Sequence, residues 1–166
     1  MFKRILAAVA ASVAISVPAL ARIETGTPNL IRTAERYGAT FSYNPSRCNN
    51  SGFNGLYRLN DRHIILCYRG RADANDHDTV RHEVFHFVQH CAARRRNVKG
   101  LTPLSVNSQL RNRWIRQTLD DDRIVRIKSA YPRTHWIVEL EAFAAAQHYT
   151  SAQLSSLITK WCKPIT

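Results

Sequence analysis

The stretch that decides the fold runs Asp78-Thr79-Val80-Arg81-His82-Glu83-Val84-Phe85-His86-Phe87-Val88-Gln89-His90. Val80, Val84, Phe85 and Val88 recur at the spacing of one helix face, so the segment is expected to be helical. Asp76 or Asp78 can cap its start, and the pattern breaks up in Arg94-Arg95-Arg96-Asn97 and Gly100. Before this helix the chain carries short strand-like runs; after it no convincing strand follows.

Upstream, Thr27-Pro28 supplies a helix N-cap and first position, with Leu30, Ile31 and Ala34 as its apolar stripe and Gly38 as its stop. A strand is expected near Thr40 to Tyr43. Gly55 to Leu59 and His63 to Tyr68, joined by Asn60-Asp61-Arg62, read as a hairpin, so the sheet is expected to be small and antiparallel. Downstream, Thr102-Pro103 is expected to open a helix to about Leu119, and Asp120-Asp121-Asp122 a further one to Ala130, closed by Pro132. Thr134 caps a helix to about Tyr149, and Thr150 or Ser151 starts a last one to Cys162. The class is α+β, a small sheet followed by a mainly helical remainder.

The first residues stand apart from this fold. Lys3 and Arg4 precede an uncharged apolar run, Ile5 to Leu20, that ends in Ala19-Leu20-Ala21, the small-x-small pattern of a signal-peptide cleavage site. Sixteen residues fall short of the roughly 18 to 20 that span a bilayer, so a cleaved leader is expected rather than a retained anchor. Removing residues 1–21 from 166 leaves 145, enough for one domain at 22–166 with its own core. No other run is long enough to span, and the expected location is secreted or periplasmic. The formal charge of +12 falls to +10 once Lys3 and Arg4 are removed.

In an oxidising compartment Cys48, Cys67, Cys91 and Cys162 suggest two disulfides with three possible connectivities. Cys48 with Cys67 is favoured because that pair brackets the hairpin, and Cys91 with Cys162 because it ties down the terminal helix. A zinc cluster is disfavoured, since no two of them stand in C-x-x-C spacing.

Within the central helix, His82-Glu83-Val84-Phe85-His86 is an H-E-x-x-H motif. Residues four apart share a helix face at about 6 Å, so two imidazoles can converge on one metal ion. Glu83 is rotated off that face, within reach of a metal-bound water, and suits a general base. One zinc per chain is therefore expected, with peptide-bond hydrolysis as the chemistry. A third ligand is needed. His90 continues the spacing but lies a further turn along the axis, so a packing or supporting role is expected of it. The metzincin pattern is excluded, because Gln89 and Ala92 stand where it needs Gly and His. The helix Trp136 to Ala145 places Glu139 and Glu141 in an apolar stretch, where carboxylates are costly unless they bind something. Two residues apart, they point about 200° from each other, and only one can face the metal. Tyr131, His135, His148 and Tyr149 flank this helix as candidate donors to a developing oxyanion.

His82-Glu83-x-x-His86 together with Glu139-x-Glu141-Ala142-x-Ala144 resembles the gluzincin group of zinc metallopeptidases. That resemblance covers about two helices. It implies a zincin-like domain, a secreted zinc endopeptidase with Glu83 as general base, and the Glu directly before Ala, Glu141, as third ligand beside His82 and His86. Glu139 would then orient a histidine ligand from behind. It also implies that the edge strand of the small sheet, taken as His63 to Tyr68, aligns a peptide substrate.

Arg94, Arg95, Arg96 and Lys99 cluster in one loop, and Arg111, Arg113, Arg116, Arg123, Arg126 and Lys128 decorate the helices that follow. They read either as solvated faces or as a footprint for an anionic surface or acidic partner. Trp114 alone interleaves with the arginines, so nucleic acid is not an expected partner. The competing function is a secreted basic binding module or toxin with a non-catalytic metal site.

Overall fold

Val80 through Gln89 are buried without a break, so the central helix is packed on every side rather than along one stripe. This holds in the computed structural model, which describes residues 26–49, 52–67 and 74–164. The leader expected at 1–21 lies outside them. The elements are α1 (Thr27–Arg36), β1 (Thr40–Tyr43), β2 (Gly55–Arg58), β3 (His63–Leu66), α2 (Ala74–Arg95), α3 (Ser108–Thr118), α4 (Asp121–Ala130), α5 (Trp136–His148) and α6 (Ser151–Trp161). The class is α+β, a three-stranded sheet and six helices among the described residues. No helix of theirs is long and apolar enough to cross a membrane.

The sheet order is β1-β3-β2, and the sheet is mixed rather than antiparallel. β2 and β3 form the expected antiparallel hairpin, whereas β1 pairs with β3 in parallel, Thr40 opposite His63 through Tyr43 opposite Leu66. The long return from Tyr43 to Gly55 carries the chain past β3 before the hairpin begins, which gives β1 the same direction as β3. β3 is therefore central, and the edge beside α2 is β2. His63 to Tyr68 is thus not the edge strand; within the described residues its strand ends at Leu66, and Tyr68 lies outside them.

One core cluster joins Leu30 and Ala34 of α1, Ile64 and Leu66 of β3, Val84, Phe85, Phe87 and Val88 of α2, Ala142 and Ala145 of α5, and Leu154 and Ile158 of α6. A second joins Ile115, Leu119, Ile127, Leu140 and Ala144. The alanines of α5 present no side chain larger than a methyl, which lets α5 lie close against α2. Buried Arg81 is satisfied there: its Nε donates to the Ala146 carbonyl at 2.8 Å, and its guanidinium pairs with Asp78. Both disulfides form in the favoured pairing. Cys48 and Cys67 have Cα atoms 5.4 Å apart, Cys91 and Cys162 5.0 Å.

Three local expectations shift. α2 begins at Ala74, so Asp76 and Asp78 lie inside it rather than capping it. α1 and α5 have Gly26 and His135 at their N-caps, so Thr27 is already helical and Thr134 precedes the cap. No helix starts at Thr102-Pro103. Residues 101–107 are an irregular loop, and α3 starts at Ser108 with the Asn107 side chain accepting from the Leu110 N–H at 3.0 Å.

Candidate metal centre

His82 and His86 stand one turn apart on α2, and their Nε2 atoms lie 3.0 Å from each other. α5 brings Glu139 to both: its Oε2 is 3.4 Å from each Nε2. All three side chains are buried, and among the described residues they form the one group of His, Cys, Asp and Glu able to hold a metal ion. Four ligands at about 2.0 to 2.1 Å in a tetrahedron stand about 3.3 Å from one another, so this triangle has the size of one tetrahedral face. Glu139 Oε2 has no hydrogen-bond partner although it is buried. An orphaned carboxylate oxygen between two imidazoles is costly as it stands and is satisfied by a cation at the centre of the face.

The protonation of the site follows from its contacts. Burial favours a neutral Glu139 carboxyl, but His82 and His86 outweigh it and bring its pKa down from 4.5 to about 2. Burial likewise opposes charge on His86, and Glu139, Glu83 and Gln89 override it, raising the pKa from 6.5 to about 9. Glu83 is pushed up by burial and by Glu139, against the pull of His82, His86 and the Tyr57 backbone N–H. The group is electrostatically coupled in the way a shared positive charge requires.

The ring of His86 is held from behind. Its Nδ1 lies 2.8 Å from Gln89 Oε1; the amide oxygen can only accept, so Nδ1 carries a proton, and in the neutral ring that a cation would bind the lone pair is on Nε2, facing the centre. Gln89 is fixed in turn, its Nε2 donating to the Val138 carbonyl at 3.0 Å and to Glu141 Oε2 at 2.9 Å. Glu141 also accepts from the backbone N–H groups of Leu104 at 2.9 Å and Ser105 at 3.3 Å. The structure thus exchanges the two roles expected on α5. Glu139, not Glu141, meets the histidines, and Glu141 supports one of them through Gln89. What decides between the two is the register of α5 on α2: Gln89 grips Val138 and Glu141 one turn beyond His86, which leaves Glu139 beside the imidazoles.

Glu83 lies on the sheet side of α2, against the start of β2. A Cβ added at Gly55 would stand 2.6 Å from Glu83 Oε1 and 2.7 Å from its Cγ, so only glycine permits this approach. In the antiparallel pairing the Cys67 N–H donates to the Asn54 carbonyl, and by alternation Gly55 and Tyr57 turn their peptide groups away from β3. The Tyr57 N–H accordingly donates to Glu83. Beside it opens a cleft of about 500 Å³, bounded by β2, the two histidines, Glu83, Glu139 and the loop Lys99 to Leu101.

Tyr131 and His135 line this cleft. Burial raises the Tyr131 phenol pKa, and so do the charges of Glu139 and Glu83, which line the same cleft. His148 does not reach the cleft: it packs against Trp114 and Tyr149 at the far end of α5, with ring centroids 5.7 and 5.0 Å away. His90 faces β2, its Nδ1 2.7 Å from the Tyr57 hydroxyl, which matches a supporting rather than ligating position. Gln89 and Gly55 touch His86 and Glu83 at positions that the motif alone does not single out. Gln89 carried one signal, its place three residues after His86 on the same helix face. Comparison with family models, curated proteins and solved structures found no match for this chain.

Proposed function

We propose that this chain is an exported zinc-dependent endopeptidase whose ligands are His82, His86 and Glu139 and whose general base is Glu83. The observation that carries the reading is the buried, unpartnered Oε2 of Glu139 at 3.4 Å from two imidazole nitrogens. Two imidazoles and one carboxylate on a tetrahedral face are a catalytic zinc donor set, with the fourth position left to the cleft. The leader-like start and the two disulfides support an oxidising destination.

Bound there, zinc would act as a Lewis acid and bring the pKa of a water toward about 7. The remaining work falls to the chain. Glu83 accepts a proton from the attacking water and delivers it to the leaving amine; its contact with the Tyr57 N–H keeps one oxygen facing the cleft. The outward peptide groups of β2 offer a ladder on which an extended substrate can lie. Tyr131 and His135 stand where a developing oxyanion would need a donor.

The test uses the purified chain without residues 1–21. About one zinc per chain by elemental analysis, and chelator-sensitive cleavage of an unfolded protein restored by added zinc, are the expected results. Glu83→Gln should retain zinc and lose at least about a hundredfold in rate, the lower range for a general base. Glu139→Ala should fail to retain the metal. A wild-type chain with neither zinc nor chelator-sensitive cleavage sinks the reading.

A further inference from the structure

At the far end of α2 a second cavity, of about 730 Å³, opens between Arg62 in the β2–β3 turn, Arg94 and Arg95 on the last turn of α2, and Lys163 after α6. Its remaining wall includes the rings of Tyr37 and Trp161, and among the described residues no acidic one lines it. Among the described residues none of the four cations is in an ion pair; Asp61, the nearest acid in sequence, is taken by Arg58 at 2.5 Å. Their charges act on a common space. The pKa of His90 is lowered by burial and then by Arg94 and Arg62, from two different elements. Arg62 holds its place in the left-handed backbone region, φ 51°, a conformation unfavourable for a non-glycine residue. The Cys91–Cys162 bond joins the two helices that frame the cavity, so its walls are fixed relative to each other. Arg95 donates one N–H to the Lys160 carbonyl at 2.9 Å. Guanidinium groups without a carboxylate partner gathered in a concave site, with aromatic rings beside them, recognise carboxylates through paired N–H donors.

We propose that this cavity binds a carboxylate-rich peptide segment, and that the segment belongs to the substrate lying in the metal-side cleft. The second clause rests on the peptidase reading; the binding does not. Arg94 lies eight residues beyond His86, about 12 Å along α2, a span of about four residues of extended peptide. β2 connects the two places, with Leu59 at the rim of the cleft and Arg62 three residues on at the cavity. A substrate with an acidic run about four residues from the scissile bond can therefore occupy both.

The experiment measures anisotropy of a fluorescein-labelled peptide ending in four glutamates, against its glutamine counterpart, on the full mature chain carrying Glu83→Gln so that nothing is cut. The glutamate peptide is expected to bind about tenfold or more tighter, the gain of one or two charge-assisted contacts. Arg62→Ala with Arg94→Ala should abolish that preference, while Arg113→Ala with Arg126→Ala, the same loss of charge elsewhere, should keep it. If the first double variant fails to fold, Arg94→Ala and Lys163→Ala, both exposed, must each weaken the glutamate peptide alone. Equal binding of the two peptides, equal loss in both double variants, or binding of tripolyphosphate but not of the glutamate peptide would each overturn the proposal. A chain that binds the glutamate peptide but, as wild type, cleaves nothing keeps the cavity's role and refutes only the peptidase reading. Cleavage by wild type without charge preference does the reverse.

Discussion

Gly55 shows how much of this site rests on a missing side chain. A methyl group there would press on Glu83 at 2.6 Å, and the Thr79 methyl stands equally close, so the carboxylate must move away from the cleft. Gly55→Ala is expected to cost about 1 to 3 kcal/mol of stability through overpacking. It should also lower kcat/KM about tenfold or more while zinc content stays near one per chain, measured by melting, kinetics and elemental analysis. Unchanged kinetics would mean that Glu83 is not poised by β2. Glu141 makes a different prediction. Its removal leaves the N–H groups of Leu104 and Ser105 without their acceptor and the Gln89 amide with only the Val138 carbonyl, so Glu141→Ala should lose about 2 to 3 kcal/mol in urea denaturation. Zinc affinity in a chelator competition should fall about 10- to 100-fold, as for other residues that orient a ligand, not vanish as for Glu139→Ala. At this scale the motif made His82, Glu83 and His86 legible. The choice between Glu139 and Glu141 was not, because both are buried and only the axial register of α5 on α2 separates them.

Among the elements, the hairpin and α4 follow from their local sequences, β2 and β3 from short runs rich in Ile, Leu and Tyr about a turn and α4 from the Asp120 cap, whose side chain accepts from the Arg123 N–H at 2.7 Å. The loop at 101–107 does not. Thr102-Pro103 is a good helix start, yet the Pro103 and Leu104 carbonyls accept from Arg96 at 2.6 Å each, and the N–H groups that follow are taken by Glu141. Long-range partners at both faces of the peptide chain override local preference there. Arg96→Ala removes two charged donors, so amide exchange at Leu104 and Ser105 should quicken about tenfold or more while α5 amides keep their protection. Uniform quickening across the chain would show that Arg96 serves global stability rather than this loop. The parallel pairing of β1 was equally hidden, since local sequence carries no signal for which side of β3 a strand about twenty residues upstream will join.

At the scale of the whole molecule, the two disulfides were legible because cysteine positions relative to a hairpin and a terminal helix left one sensible pairing. Cys91 and Cys162 close a loop of 71 residues, which in the chain-entropy account contributes about 4 kcal/mol. Cys91→Ser with Cys162→Ser should therefore lower the melting temperature by about 10 °C, read by calorimetry. A shift of less than about 2 °C would show that packing of α6 alone suffices. Cys91 also lies on the same helix as His82 and His86, five residues beyond the second of them. That bond, which ties the helix carrying His82 and His86 to the end of α6, can form only where thiols are oxidised. A chain held among reduced thiols lacks the clasp, and the helix that gathers the two imidazoles is then anchored by packing alone.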